Sequence, residues 1–286
     1  MRKVVCLAAL LWASAAGALA QISVEVLLDQ DQFLRDESLP VKVRLSNRSG
    51  QTLKLGQPPD WLTFTIQRRD GYAVPRLGDP PVAGEVSLDS AMALTKTWNL
   101  LPYFDLGGPG RYLVTATVHI KQWDREASSA AKSFEIIPGT KLWEEEFGVP
   151  TASGPPEVRK YMLQQANFLK RLVLYLRISD AADVKVFRVL PVGPLVSFSR
   201  PEAQIDKLSQ LHLLFQTGAR SFSYLVVDPD GKILLRQTHD YTATRPVLRS
   251  NSQGRIFVNG GMRRYTEGDY PLPWAAATNE VDKPKP

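Results

Sequence analysis

The sequence predicts an all-β protein of two domains, the first of them an antiparallel sandwich. Three observations lead there. Apolar and polar residues alternate with a period of two through the first half, turn sequences separate these runs, and 286 residues exceed the length of one typical domain. Because 44% of the residues are hydrophobic and 22% are charged, a wholly disordered chain is excluded. We therefore expect two folded cores.

The alternation in residues 22–137 is that of half-buried strands, in which successive side chains point to opposite faces. Lys96 interrupts it, since it stands where an apolar residue is expected. Turns such as Arg69-Asp70-Gly71 separate the runs. Roughly seven short strands in about 115 residues indicate a sandwich. The apolar positions include Val24 and Val26; Val41, Val43 and Leu45; Leu62, Phe64 and Ile66; Leu94 and Trp98; Tyr112, Val114, Ala116, Val118 and Ile120; Phe134 and Ile136.

Two stretches of the first half carry a family resemblance. Pro109-Gly110-Arg111-Tyr112 resembles the start of strand F in bacterial immunoglobulin-like domains. The resemblance implies that Tyr112 packs at the corner and hydrogen-bonds to nearby backbone. Residues 47–53 are similar to a strand pair in secreted bacterial modules and in BsuPI-type proteinase inhibitors. Val114 stands where antibody-type domains place a cysteine, so no inter-sheet disulfide is expected, and Trp61 is out of phase with the core positions of its strand.

The second half is predicted to be a linker followed by a β-rich domain. Residues 138–156 are rich in proline, glycine and acids, which is typical of a domain boundary. Residues 157–166 fit either a short helix after Pro156 or an extended segment, and the pattern does not choose between them. Alternating runs from Leu172 to Val258, with a tight turn at residues 228–231, predict a β meander of unknown topology over 157–270.

The first 20 residues are predicted to be an export signal. Arg2 and Lys3 precede an apolar stretch, and Ala18-Leu19-Ala20 is a typical cleavage pattern. Cleavage near Ala20 removes Cys6, the single cysteine, and leaves 33 basic and 29 acidic residues. That small excess does not indicate a nucleic-acid partner. We expect a bacterial periplasmic or secreted protein without a transmembrane anchor, ending in a flexible tail over residues 271–286.

Familiar catalytic signatures are missing from the sequence. There is no G-x-S-x-G elbow, no H-E-x-x-H zinc motif, and no Gly-rich phosphate loop, so we expect no metal and no cofactor. His239 and Asp240 are adjacent, but adjacent strand residues point to opposite faces, so we expect a surface histidine near a strand end. Asp228-Pro229-Asp230-Gly231 is interpreted as a hairpin turn rather than a calcium loop, because the downstream glutamate is absent.

Two residue sets are candidates for binding. Arginines gather near the C-terminus and could meet an anionic polymer: Arg245, Arg249, Arg255, Arg263 and Arg264. Four tryptophans could form a sugar-stacking platform, but core or interdomain packing is the favoured explanation: Trp61, Trp98, Trp123 and Trp143. We take Arg245, Arg249, Arg263 and Arg264 as the binding residues.

These features favour a non-enzymatic binding or structural protein that acts through a β-domain surface on a protein or polysaccharide of the cell envelope. Two alternatives stay open. The BsuPI resemblance implies an inhibitor of exported proteases, and an unrecognised pair among the 29 carboxylates would make a carbohydrate-active enzyme. The sequence does not indicate an oligomeric state.

Overall fold

The computed structural model describes residues 22–57, 59–151, 154–168 and 171–271. The predicted export signal with Cys6, and the predicted tail beyond Pro271, lie outside the described residues. The chain divides into two compact units between Ile137 and Pro138, which is where the sequence analysis ends the first domain. The all-β prediction is confirmed. Regular structure in the described residues is strand, apart from two 3-10 turns, Leu101–Tyr103 and Lys121–Trp123.

The strands of the first unit form two packed sheets and a small ribbon. They are β1 (Ile22–Leu27), β2 (Gln32–Leu34), β3 (Pro40–Asn47), β4 (Leu53–Leu55), β5 (Leu62–Arg68), β6 (Val86–Leu88), β7 (Ala93–Asn99), β8 (Gly110–Ile120), β9 (Arg125–Ser128) and β10 (Lys132–Ile137). One sheet has the order β1-β3-β7 and the other the order β2-β10-β8-β5, with β9 on β8; β4 pairs with β6. All these pairs are antiparallel except β2 with β10.

The inner faces of the two sheets bury a single apolar core. The inward residues of β8 are Tyr112, Val114, Ala116, Val118 and Ile120, all buried, and they alternate with less buried neighbours. The same core contains apolar residues of β3 and β5: Val41, Val43 and Leu45, and Leu62, Phe64 and Ile66. The predicted period of two therefore correctly identified the inner face, because each second side chain meets the opposing sheet.

Two residues that broke the alternation have separate explanations. Trp61 is fully buried and its Nε1 donates to the Val82 carbonyl at 2.7 Å. It precedes β5, so the strand phase does not apply to it. Lys96 lies on the core side of β7, an edge strand of its sheet. An inward charge on an edge strand opposes pairing with another chain.

The second unit contains two larger sheets and a hairpin. Its strands are β11 (Thr140–Val149), β12 (Glu157–Phe168), β13 (Arg171–Asp180), β14 (Val186–Pro194), β15 (Glu202–Ile205), β16 (Leu211–Gln216), β17 (Ser221–Val227), β18 (Ile233–Asp240), β19 (Val247–Ser250), β20 (Ile256–Asn259) and β21 (Met262–Arg264). The sheet orders are β11-β12-β13-β14 and β15-β16-β17-β18-β21, and β19 pairs with β20. Every pair is antiparallel.

The predicted linker over residues 138–156 is wrong for most of its length. Its residues 140–149 form β11, which pairs with β12 along its whole length. Phe147 anchors it, since its ring stacks on Tyr161 with centroids 4.1 Å apart. The acidic residues beside Phe147 are exposed, because β11 is an edge strand. For that reason the sequence of β11 does not show the alternation of a half-buried strand. Residues 157–166, left open as helix or extended, belong to β12.

The second five-stranded sheet is buried on both faces. Leu211, Leu213 and Phe215 of β16 join a core with the four-stranded sheet, which supplies Tyr161, Leu163, Leu174 and Leu176. On the opposite face, Leu214, Phe222, Tyr224 and Val226 pack against Leu248 and Ile256 of the β19–β20 hairpin. All six residues of β16 are buried as a result. His212, His239 and Arg263 lie on the same face of the sheet as this second core.

The turn between β17 and β18 is built as the sequence predicts. The Asp228 carboxylate accepts backbone N–H bonds from Asp230 at 3.0 Å and Lys232 at 2.8 Å. Gly231, at φ +79°, closes the turn by donating its N–H to the Asp228 carbonyl. Asp228 therefore has a structural role in the hairpin.

Candidate functional site

The four arginines chosen from the sequence do not form one surface. Arg263 and Arg264 are neighbours in β21, so their side chains leave the sheet on opposite faces. Arg264 Nε donates to Asp240 Oδ2 at 2.7 Å, and its Nη2 donates to Ser221 Oγ at 3.2 Å. This hydrogen bond from Arg264 lowers the pKa of Asp240. Arg263 Nη2 instead donates to Asp269 Oδ2 at 2.7 Å.

The other two predicted arginines are also separated. Arg245 is exposed, with its guanidinium carbon 5.2 Å from the ring centroid of Phe222. Arg249 is exposed on β19, opposite Phe257 of β20. In the described part of the chain, neither arginine forms an ion pair. Of the four arginines, Arg245 and Arg263 lie on the same face of the sheet as Phe222: Arg245 is over the Phe222 ring, and Arg263 is two strands away.

His239 does not lie at the surface, and that expectation is wrong. It is 9% exposed, because its face of the sheet carries the second core, and its ring meets the Tyr224 ring edge-on at 6.3 Å. Asp240 points to the opposite face, as strand geometry predicts. Burial lowers the pKa of His239, and the charge of Arg263 lowers it further.

The four tryptophans do not form one platform. Trp61 lies in the first core, and Trp98 and Trp123 pack partly against it. Trp143 belongs to β11 of the second unit and packs partly against that unit's core. Packing therefore accounts for all four.

A buried polar chain that sequence reasoning missed connects Asp206, His212 and Tyr224. The His212 ring nitrogens lie 2.7 Å from the Tyr224 hydroxyl and 3.2 Å from Asp206 Oδ2. Burial raises the pKa of Tyr224 to about 12, so its hydroxyl stays protonated, and the imidazole tautomer decides which of the two groups donates. Tyr224 is 6% exposed, which leaves no access for a substrate. The signal was a histidine inside the apolar run of β16, since a buried polar group needs partners.

The first unit has a concavity of about 610 Å³ on the outer face of its five-stranded sheet. Its volume falls within the range of small-ligand pockets, about 300–1,000 Å³. The lining is mostly polar, which favours a charged group over an apolar ligand. The lining residues are Asp31, Gln32, Arg69, Arg111, Tyr112, Leu113, Ser133, Phe134 and Glu135.

Strand register places four of the polar lining residues in one row. Gln32 of β2 is opposite Glu135 of β10, which is opposite Arg111 of β8. Arg69 follows β5 directly and donates its backbone N–H to the Arg111 carbonyl at 3.0 Å. Residues directly opposite on paired strands share a face. The row Gln32, Glu135, Arg111 and Arg69 therefore crosses the sheet on its outer side.

The two arginines of this row are neighbours without carboxylate partners. Gln32 Nε2 donates to Glu135 Oε2 at 2.9 Å. Within the ranges that the structure describes, the guanidinium groups of Arg69 and Arg111 form neither an ion pair nor a hydrogen bond, and both residues are exposed. Like charges directly opposite each other destabilise a strand pair. Glu135, directly opposite Arg111 on β10, offsets part of this repulsion, and the free donors of the two arginines are what the concavity offers to an acidic group.

Both segments of this site carry a signal in the sequence, but each signal predicts a feature of the fold and not a binding site. Arg69 opened a predicted turn, and Arg111 stood beside Tyr112 in the resemblance motif. Their meeting depends on the pairing of β5 with β8, which are more than 40 residues apart in the chain.

The described residues contain no group of three or more His, Cys, Asp or Glu side chains arranged to hold a metal. Nor does any helix among them have the length and hydropathy needed to cross a membrane.

Comparison with known proteins adds little. No family model matches the chain, and no curated protein matches it. Among solved structures, the sporulation control protein Spo0M from Bacillus subtilis aligns over 61% of this chain and 90% of its own, with 10% identity and a TM-score of 0.29. A likeness that weak carries no argument about function. The comparisons support neither the immunoglobulin-like nor the BsuPI-type resemblance.

Proposed function

We propose that the protein is an exported, non-enzymatic binding protein of the cell envelope, which holds an acidic group of a protein or polysaccharide at Arg69 and Arg111. The observation that carries this proposal is the pair of exposed arginines that line one concavity of the first unit, are joined by a backbone hydrogen bond, and have guanidinium groups without a partner among the described residues. A guanidinium binds a carboxylate through two parallel hydrogen bonds, so two of them together select for acidic ligands.

We further propose that the first unit is an immunoglobulin-like sandwich. Two features support this. Strands β5, β8 and β10 pair in the order β5-β8-β10, opposite a sheet of β1, β3 and β7. Tyr112, near the start of β8, donates its hydroxyl to the Gly108 carbonyl at 2.6 Å, which is the corner bond that the resemblance implies.

The binding proposal is tested with the full chain on acidic and neutral polymers. We expect saturable binding to a uronic-acid polysaccharide or to an acidic peptide, and none to a neutral glucan. Replacing Arg69 or Arg111 by Gln removes one charge-assisted contact, about 1.5–3 kcal/mol, so each variant should bind at least about tenfold more weakly. Titration calorimetry measures the affinity.

Arg249→Gln is the matched control, because Arg249 is also exposed and unpaired among the described residues but lies in the second unit. Loss of binding with Arg249→Gln and not with Arg69→Gln would contradict the proposal and place the site near Arg249 in the second unit. Hydrolysis of a polysaccharide would identify an enzyme instead, with Asp31 and Glu135 as the first carboxylates to replace. Inhibition of an exported protease by the purified chain would favour the inhibitor alternative.

Export is tested separately by mass spectrometry of the protein isolated from its native cells. We expect an N-terminus near Gln21. A retained Met1 would contradict export, whatever the binding result.

A further inference from the structure

A second polar site lies where the last two strands of the second unit's five-stranded sheet meet. His239 of β18 is directly opposite Arg263 of β21 and, on its other side, Phe222 of β17. Directly opposite residues share a face, so the imidazole and the guanidinium lie on the same side of the sheet. Arg245 approaches this row from outside, with its guanidinium carbon over the Phe222 ring.

The polar atoms of this pair are buried without enough partners. Arg263 Nη2 is bonded to Asp269, but Arg263 Nε and Nη1 have no hydrogen-bond partner, and neither does His239 Nε2. Among the residues that the structure describes, five buried side-chain atoms lack partners, and three of them belong to this pair. Leaving buried donors unpaired is unfavourable, so such a concentration calls for a ligand that completes them.

The donors are arranged for an acceptor with several oxygens. Nε–H and Nη1–H belong to a planar guanidinium that Asp269 engages at one nitrogen only. Because burial keeps His239 neutral, its Nε2 carries the proton in one of its two tautomers and then donates. Arg245 is an exposed cation, unpaired within the described residues, at the edge of the row.

The approach to the pair lies on the Arg263 side, next to Tyr265. The Arg263 side chain is 23% exposed, although the two orphaned nitrogens themselves are covered. Tyr265 lies over the guanidinium, with its ring centroid 5.0 Å from the guanidinium carbon, and Tyr265 is 69% exposed. The proposed site requires this exposed ring to rotate away from Arg263 before an anion reaches the two nitrogens.

We propose that Arg263 and His239 form a binding site for a small oxyanion, a carboxylate or a phosphate, which is entered beside Tyr265, with Arg245 as a further cation at the Phe222 end of the row. The site lies in the second unit and does not depend on the proposed function of the first unit. Arg264 takes no part in it, because it points to the opposite face and is paired with Asp240.

The test is a titration of the full chain with inorganic phosphate and, separately, with acetate, followed by NMR of the histidine side chains. The chain has three histidines, and a His239→Gln variant assigns the signal of His239. We expect a saturable shift of the His239 signal at millimolar anion, while the signals of His119 and His212 stay in place. The phosphate and acetate arms distinguish the two anion classes.

Arg263→Gln removes the charged donors, so the anion affinity obtained from the His239 titration should fall at least about tenfold. Arg264→Gln is the matched control, one residue away, and should leave the shift unchanged. The Arg263→Lys variant keeps the charge but loses the planar donors, so it should bind the anion with intermediate affinity. If Arg263→Gln does not fold, the affinity of Arg263→Lys tests the role of Arg263.

Two results would overturn the proposal. The first is a His239 signal in the unmodified chain whose shift does not saturate with either anion, which would mean that neither anion binds there. The second is an unchanged anion affinity in both Arg263 variants. Neither result bears on Arg69 and Arg111, so the two proposals fail or succeed separately.

Discussion

The Tyr112 hydroxyl donates to the Gly108 carbonyl at 2.6 Å and so closes the turn that leads into β8. The Tyr112 ring is buried and stacks on Phe134 of β10, with ring centroids 5.5 Å apart. One side chain thus links the turn before β8 to the strand beside it. Its hydroxyl satisfies a backbone group that the turn leaves without a strand partner.

Replacing Tyr112 by Phe keeps the ring and removes only this hydrogen bond. We expect the free energy of unfolding of the first unit to fall by about 0.5–1.5 kcal/mol. Denaturant unfolding measures it, and Tyr72→Phe serves as the control because Tyr72 is 74% exposed. A loss equal to that of the control would show that the corner bond contributes nothing.

The buried chain of Asp206, His212 and Tyr224 is expected to stabilise the second unit. Tyr224→Phe leaves a His212 ring nitrogen without its partner, so we expect a loss of about 1–3 kcal/mol in the free energy of unfolding. The measurement is thermal or denaturant unfolding, with the more exposed Tyr241→Phe for comparison. Equal stability of the two variants would contradict a structural role for the chain.

Strand β11 is expected to be an integral part of the second unit. Phe147→Ala removes a buried ring that stacks on Tyr161, and a large-to-small change of this kind costs about 3–5 kcal/mol. Leu142→Ala, in the same strand but 37% exposed, should cost far less. If Phe147→Ala unfolded like the unmodified chain, residues 140–149 would act as a linker after all.

Stability is expected to fall as the pH drops below 6.5, because of His239. Burial and Arg263 lower the pKa of His239 from 6.5, while Asp269 and Asp240 partly oppose this. The unfolded chain therefore binds a proton that the folded chain does not, and unfolding is favoured from pH 6.5 down to the folded-state pKa. Above pH 6.5 His239 is neutral in both the folded and the unfolded chain, so it no longer makes the free energy of unfolding depend on pH.

The check is a series of denaturant unfolding measurements across that pH window, made on the unmodified chain and on His239→Gln. We expect the variant to lose this part of the pH dependence. A pH dependence that is identical in both proteins would assign it to other groups.

The fold class and the inner face of the first unit were accessible from the sequence, because strand alternation is a local property. Val114 and its neighbours in β8 needed only the period of two and the turn before them. The strand β11 was not accessible, because its acidic residues face outward on an edge and only Phe147 contributes a large buried side chain. The burial of Trp61 was not predicted, because Trp61 lies just before β5 and the alternation of that strand does not extend to it.

The candidate sites depended on tertiary structure. By itself, the sequence determined that the chain is β-rich and where the first core lies, since both follow from side chains a few residues apart. Only the tertiary structure decided that Arg69 meets Arg111, that Arg263 faces His239, and that Arg264 belongs elsewhere. The physical reason is strand register: it joins residues from distant segments, and a shift of one residue moves a side chain to the other face.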